Sequence, residues 1–228
     1  MNPLRRALWA EALKLRGTLA LWMCAIAPAV VVALLVLQIT FSDFTQRTPM
    51  ESAEAWTRFA QSVLVLWAFL MLPLFVTLQS ALLAGLEHAN QQWKHLLALP
   101  LPRSAHYLAK QVALTGMLAL AMALLAIFIA LGGIILGVLQ PAFGIAGAPP
   151  WNYLIDGVSA CFAASLLIVS LHNWISIRWR SFTVVVSIGM GATVAGYLIG
   201  QSERFGHLYP WSMPAQVFAG KGEWIGFV

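Results

Sequence analysis

The residues able to do chemistry are few, and the groupings that catalysis needs are missing. Gly220-Lys221-Gly222 comes nearest to a phosphate loop, but it lacks the glycine spacing and the hydroxyl residue that should follow the lysine. No HExxH, CxxC or GxSxG sequence occurs. Cys24 and Cys161 both sit in apolar runs, and two thiols are too few for a metal-ligand cluster. Other polar groups are dispersed through the apolar runs: Gln38, Thr77, Gln79, Ser80, Thr115, Ser165, Ser170, His172, Asn173, Ser187 and Thr193. In that setting they read as hydrogen-bond partners between helices, and His172 and Asn173 as interface or packing residues. Asp156 is the only acid near a run, at its edge, and the middles of the runs carry no Asp, Glu, Lys or Arg. Ion-coupled transporters and channels place ionisable groups or broken helices at that depth. The sequence therefore predicts no enzyme, no cofactor and no metal in this chain, and an energy source that lies elsewhere if it transports.

The most polar stretch between two runs is Leu86 to Pro100, LEHANQQWKHLLALP. At helical spacing Leu86, Ala89, Trp93, Leu96, Leu97 and Pro100 share one face. Glu87, His88, Gln91, Gln92, Lys94 and His95 take the other. Such a helix at the mouth of a membrane bundle either floats in the headgroups or docks a soluble partner and passes force to the spans. Residues 3–16 form a second amphipathic helix, with Leu4, Ala7, Leu8 and Leu15 in a stripe and Arg5, Arg6, Lys14 and Arg16 elsewhere. Glu11 falls inside the apolar stripe, so it calls for a pairing partner rather than lipid. A basic face resting on anionic lipid is the competing reading of this helix.

What must position these segments is a membrane bundle. Hydrophobic residues make up 61% of the 228 and charged residues only 9%, against about 25% charged in a soluble domain; the mean hydropathy is +0.81. The apolar residues come in blocks of helical-span length without the alternation of barrel strands. The fold class is an all-α integral membrane protein, a helical bundle in one transmembrane domain over 1–228. Its spans are expected at 18–40, 63–85, 112–139, 154–177 and 182–200, with 224–228 as the start of a sixth. Pro73 should kink the second span. The third, longer than a bilayer needs, should tilt, bend near Gly132-Gly133 or protrude. In the fifth, Ser187, Gly191 and Ala195, and likewise Ala192, Gly196 and Gly200, recur at four-residue spacing and mark close helix packing. Residues 201–223, with Tyr209, Pro210, Trp211 and Pro214, read as a short re-entrant or interfacial piece.

Orientation follows from Lys and Arg. Arg5, Arg6, Lys14, Arg16, Lys94, Arg103, Lys110, Arg178 and Arg180 fall on one side, while Arg47, Arg58, Arg204 and Lys221 fall on the other among acids. The positive side is cytoplasmic, which puts the amino terminus and 86–100 inside and 41–60, 140–153 and 201–223 outside. The same bias accounts for the +5 net charge without a nucleic-acid partner. Cys24 then lies in the inner half of its span and Cys161 in the outer half of its own, so no disulfide is expected. A signal peptide fits poorly, because the leading segment is long, contains an acid, and precedes an apolar run with no cleavage site.

In layout the chain resembles the membrane subunit of type-2 ATP-binding-cassette (ABC) transporters, most closely the short permeases of bacitracin- and lantibiotic-resistance exporters. The resemblance rests on Glu11-Ala12-Leu13-Lys14-Leu15-Arg16 before the first span. It also rests on Glu87 with Trp93-Lys94 and Leu97-Ala98-Leu99-Pro100 between the second and third, and on Arg103 and Tyr107-Leu108-Ala109-Lys110 entering the third. It implies six spans with both termini cytoplasmic, in a bacterial inner membrane. It also implies that 86–100 is a coupling helix seated in a separate ATPase subunit, which binds the ATP and magnesium. The contact residues so implied are Glu11, Glu87, Asn90, Gln91, Trp93, Lys94 and Leu97. A second permease subunit, identical or homologous, and the bilayer complete the partners; Ser187, Gly191, Ala192, Ala195 and Gly196 would serve helix packing. The implied cargo is a peptide antibiotic or other amphipathic compound, and the role is antibiotic resistance by export. The alternative is a membrane-anchoring or assembly subunit with no transport path.

Overall fold

The computed structural model describes residues 3–42, 50–89, 103–202 and 204–218, and every regular element among them is helical. Helix α1 spans Pro3–Leu15 and α2 Leu19–Thr40. Helix α3, Ser52–Leu66, passes through a π-helical turn, Trp67–Met71, into α4, Leu72–Ala89. Helix α5 is Arg103–Leu139, α6 Trp151–Arg178, α7 Phe182–Gly200 and α8 the short Met213–Gln216. Among the described residues, five stretches are long and apolar enough to cross a membrane: Leu19–Thr40, Ser52–Gly85, Ser104–Leu139, Trp151–Arg178 and Phe182–Gly200.

The second and third spans begin earlier than hydropathy alone places them, at Ser52 rather than Val63 and at Arg103 rather than Val112. The reason is amphipathicity. In the first turns of α3, Ala55, Trp56, Phe59 and Ala60 are buried while Glu54 and Arg58 stay exposed, so a window average cancels. The stretch 41–60, read as a loop, is thus helical from Ser52. At 37 residues, α5 is about 55 Å long, well beyond the ~30 Å hydrocarbon core. Gly132 and Gly133 lie inside this continuous helix. A Cβ on Gly133 would collide with the Trp56 ring, and one on Gly132 would press on Val32, Phe59 and Val36. The pair is a niche into which α2 and α3 pack.

Pro73 has its effect one turn upstream. Without an N–H it cannot bond the Phe69 carbonyl, and the chain widens into the π turn, with the Leu72 N–H reaching back to the Trp67 carbonyl. Below the π turn, α4 continues unbroken through Gly85 to Ala89. The expected boundary between span and coupling helix at Leu86 is therefore absent, and residues 90–100 lie outside the described residues. The span at 182–200 matches α7, and 154–177 matches α6 closely.

On the far side from α1, the uncharged 140–150 loop is tied to the start of α3. Trp56 Nε1 donates to the Ala146 carbonyl at 3.0 Å, and the Ala146 N–H donates to Ser52 Oγ at 2.9 Å. Gly144, at φ 94°, passes so close to the Met50 carbonyl that a side chain has no room. The core runs along the α2–α5 seam and through α3, α4 and α6, centred on Trp67, Phe59, Leu118, Leu125, Ile129 and Ile168, all fully buried. Trp22, Ile26, Val30, Leu34 and Leu37 of α2 face outward, as lipid-facing residues of a span do.

Candidate functional site

Three polar assemblies stand out from this apolar frame. The first lies where α1 meets the base of α5. Glu11, buried as the stripe position required, places Oε1 3.0 Å from Lys14 Nζ and 3.8 Å from Lys110 Nζ. The side chains of Lys110 and Glu11 are only 3% and 8% exposed. Lys110 sits two turns into α5, so the pair fastens the amino-terminal helix to the helix that follows the 90–102 connector. The Glu11 carboxylate is turned inward onto this chain.

The second assembly crosses the bundle. Thr77 Oγ1 donates to the Pro73 carbonyl at 2.8 Å and lies 3.2 Å from His172 Nε2. With the hydroxyl proton on the carbonyl, the contact to His172 is an Nε2–H donating to Thr77. Gly189 of α7 packs onto this pair so closely that a Cβ would collide with Thr77. On the other side of His172 the Trp211 ring stands edge-on, centroids 5.6 Å apart. Trp211 arrives there because residues 204–218 turn back alongside α7. Tyr209 donates its hydroxyl to the Ala192 carbonyl at 3.1 Å, Gln216 Nε2 donates to the Gly200 carbonyl at 2.8 Å, and Trp211 lies against Gly196. From Gly200 to Ala192 is about 12 Å along a helix, so the segment re-enters the bundle. His172 thus joins α4, α6, α7 and the re-entrant turn.

A third polar set clasps α5 to α6. Gln111 Nε2 donates to Ser170 Oγ at 3.0 Å, and Asn173 Nδ2 donates to Gln111 Oε1 at 3.0 Å. Gln79 likewise reaches the Ala20 carbonyl of α2 at 2.8 Å. These bonds use the span polar groups inside the bundle, where satisfied polar atoms hold helices together. No group of three or more His, Cys, Asp or Glu gathers among the described residues. Cys24 and Cys161 are free and buried.

This arrangement of long apolar helices with an amphipathic leader clamped to the bundle suits a membrane transport subunit. The profile of the family described as ABC-2 family transporter protein matches residues 7–196. The chain belongs to the ABC-2 transporter family. It is a multi-pass membrane protein and a permease subunit of that family, which is not itself catalytic. No curated protein and no solved structure matches it.

Of the expected partner-contact residues, Glu87 falls in the last turn of α4, and Asn90, Gln91, Trp93, Lys94 and Leu97 lie outside the described residues. Of the packing residues, Gly196 is buried against Trp211 and Ala192 accepts from Tyr209, both within this chain. Ser187 and Gly191 are exposed, and nothing lies within 4 Å of a Cβ on Gly191. Sequence reasoning missed Gly189, whose partners Thr77 and His172 come from two other helices; its only local sign was a small residue among β-branched ones.

Proposed function

We propose that this chain is the permease of an ATP-driven exporter, with bacitracin-type or other amphipathic peptides as cargo. A separate ATPase would bind ATP and magnesium and seat on the 90–100 connector through Glu87, Asn90, Gln91, Trp93, Lys94 and Leu97. The observation that carries the reading is mechanical. Helix α4 runs without a break from the Thr77–His172 junction to Ala89 at the connector, and α5 leaves the connector clamped to α1 by Glu11 and Lys110. A push on the connector would therefore reach the ends of α4 and α5, and through Thr77 and His172 pass to α6, α7 and the re-entrant turn. Glu11 would serve the partner indirectly, by holding α1 in place.

The Lys and Arg distribution supports a cytoplasmic amino terminus in a bacterial inner membrane. A second permease subunit would complete the path, because one bundle this size leaves no lumen for a peptide. The open Ser187/Gly191 stripe of α7 is the surface offered to it. The test is co-purification with a candidate ABC ATPase from the same genome, followed by turnover assays in vesicles. Hydrolysis that rises on adding a peptide antibiotic supports the exporter. A stable complex whose turnover ignores every amphipathic peptide tried, and which moves none, would replace it with an anchoring role.

A further inference from the structure

Helix α1 has two opposed faces, and the clamp uses only one. Ala7 and Glu11 are buried against the bundle, and the ion pairs of Glu11 fix how the helix is rotated. Diametrically opposite, at helical spacing, stand Arg5, Trp9, Ala12, Leu13 and Arg16, all exposed. Trp9 is 57% and Leu13 48% exposed, which is unusual for two large apolar side chains held on a fixed face. Glu11 is the one acid in the helix and it is inside, so every charge that α1 shows outward is positive: Arg5, Arg6 and Arg16. None of the three forms an ion pair among the described residues.

We propose that this outer face of α1 binds anionic phospholipid of the leaflet on the amino-terminal side. Depth is the first argument. Helix α1 stops at Leu15, turns at Gly17 with φ 71°, and the first span starts at Leu19. Leu19, Trp22 and Ile26, the first outward residues of that span, are exposed in the same way as Trp9 and Leu13. The α1 face therefore ends where the lipid-facing stripe of α2 begins, at headgroup level. Chemistry is the second. An amphipathic helix with Trp and Leu between flanking arginines inserts its apolar side chains at the boundary and meets phosphate with its guanidiniums. Zwitterionic headgroups carry no net charge to reward three cations without an acid. A docking groove on a protein would leave Trp9 and Leu13 facing away from the lipid stripe they adjoin.

The test uses the full chain purified in mild detergent with equal phosphatidylglycerol and phosphatidylcholine of matched acyl chains, and retained lipid counted by native mass spectrometry. Wild type should keep phosphatidylglycerol over phosphatidylcholine by roughly thirtyfold, the advantage expected of two arginines at a charged surface. The R5Q/R16Q variant should bring the ratio close to one, and R5K/R16K should keep most of it. R58Q/R204Q, which removes the same charge from the opposite side, should leave the ratio as in wild type. Equal retention of the two lipids by wild type overturns the proposal, whether or not any variant folds. So does a loss in R58Q/R204Q as large as in R5Q/R16Q, which would mean bulk charge alone. An R5Q/R16Q protein that keeps its lipid but no longer holds the ATPase would give this face to the protein partner instead.

Discussion

Glu11 Oε1 and Lys110 Nζ face each other at 3.8 Å, from helices separated in sequence by the first two spans. With Lys14 at 3.0 Å on the same oxygen, one carboxylate balances two ammonium groups at the foot of the bundle. The pair sets the angle of α1 and the position of the α5 base together.

Removing one partner should therefore be costly. Glu11→Gln takes from the buried Lys110 the carboxylate 3.8 Å away, and breaking a buried pair costs about 3 kcal/mol. Thermal unfolding of the purified chain should show a clear drop for E11Q. The double variant E11Q/K110M, which buries no charge at that point, should recover much of the loss. Equal melting of wild type and E11Q would make the pair a surface contact worth nothing measurable.

Gly133 and Trp56 give the corresponding test for the α3–α5 seam. Gly133→Ala should cost ~1–3 kcal/mol by overpacking, because the obstacle is an indole ring that is itself buried and hydrogen-bonded to Ala146. Gly116→Ala in the same helix, where a Cβ meets nothing within 4 Å, should be neutral or gain up to about 1 kcal/mol from helix propensity. Melting temperatures of the two variants side by side check both signs; equal behaviour would mean that the helices part freely.

How much of this was legible depended on whether the signal was local. The 182–200 span stands out because Arg178-Trp179-Arg180 closes one end and polar residues follow the other, with no charged residue between. Glu11 announced its burial by sitting in an apolar stripe, and Pro73 announced a disturbed helix. The start of α3 was hidden because burial there follows one face while Glu54 and Arg58 dilute the average. Gly132 and Gly133 could be read as a bend, since nothing near them in sequence names Trp56 or Val32 as the neighbours that need the space. His172 was visible as a polar residue in a span. Its role as the meeting point of Thr77, Gly189 and Trp211 depends on three segments that only the fold brings together.

Sidedness has a direct test. With Cys24 and Cys161 buried, introduced cysteines should dominate labelling by an impermeant maleimide. Thr48→Cys and Ala148→Cys should react from outside intact cells, and Gln92→Cys only after lysis. Ala148 is the better loop position because Gly147 holds φ 76°, which a side chain there would strain. Labelling of the Gln92 variant in intact cells would reverse the orientation.

Coupling is tested at Trp93. The clamp fixes where α5 leaves the connector, and α4 delivers the chain to it at Ala89, so the residues between are where an ATPase can push on both helices at once. In that stretch, Trp93 has the chemistry of an anchor, since buried aromatic residues dominate interface energies. Trp93→Ala should cost on the order of 2 kcal/mol of docking free energy, about thirtyfold in affinity for the ATPase. Membrane insertion and melting should not change. Gln92→Ala should have little effect. ATPase binding by the detergent-purified chain and export by vesicles separate the possibilities, because a folding defect lowers both in every variant and a docking defect lowers them in Trp93→Ala alone. A Trp93→Ala chain that binds its ATPase and exports at the wild-type rate would reduce the connector to an interfacial segment, and the force path from Ala89 to His172 would have no input.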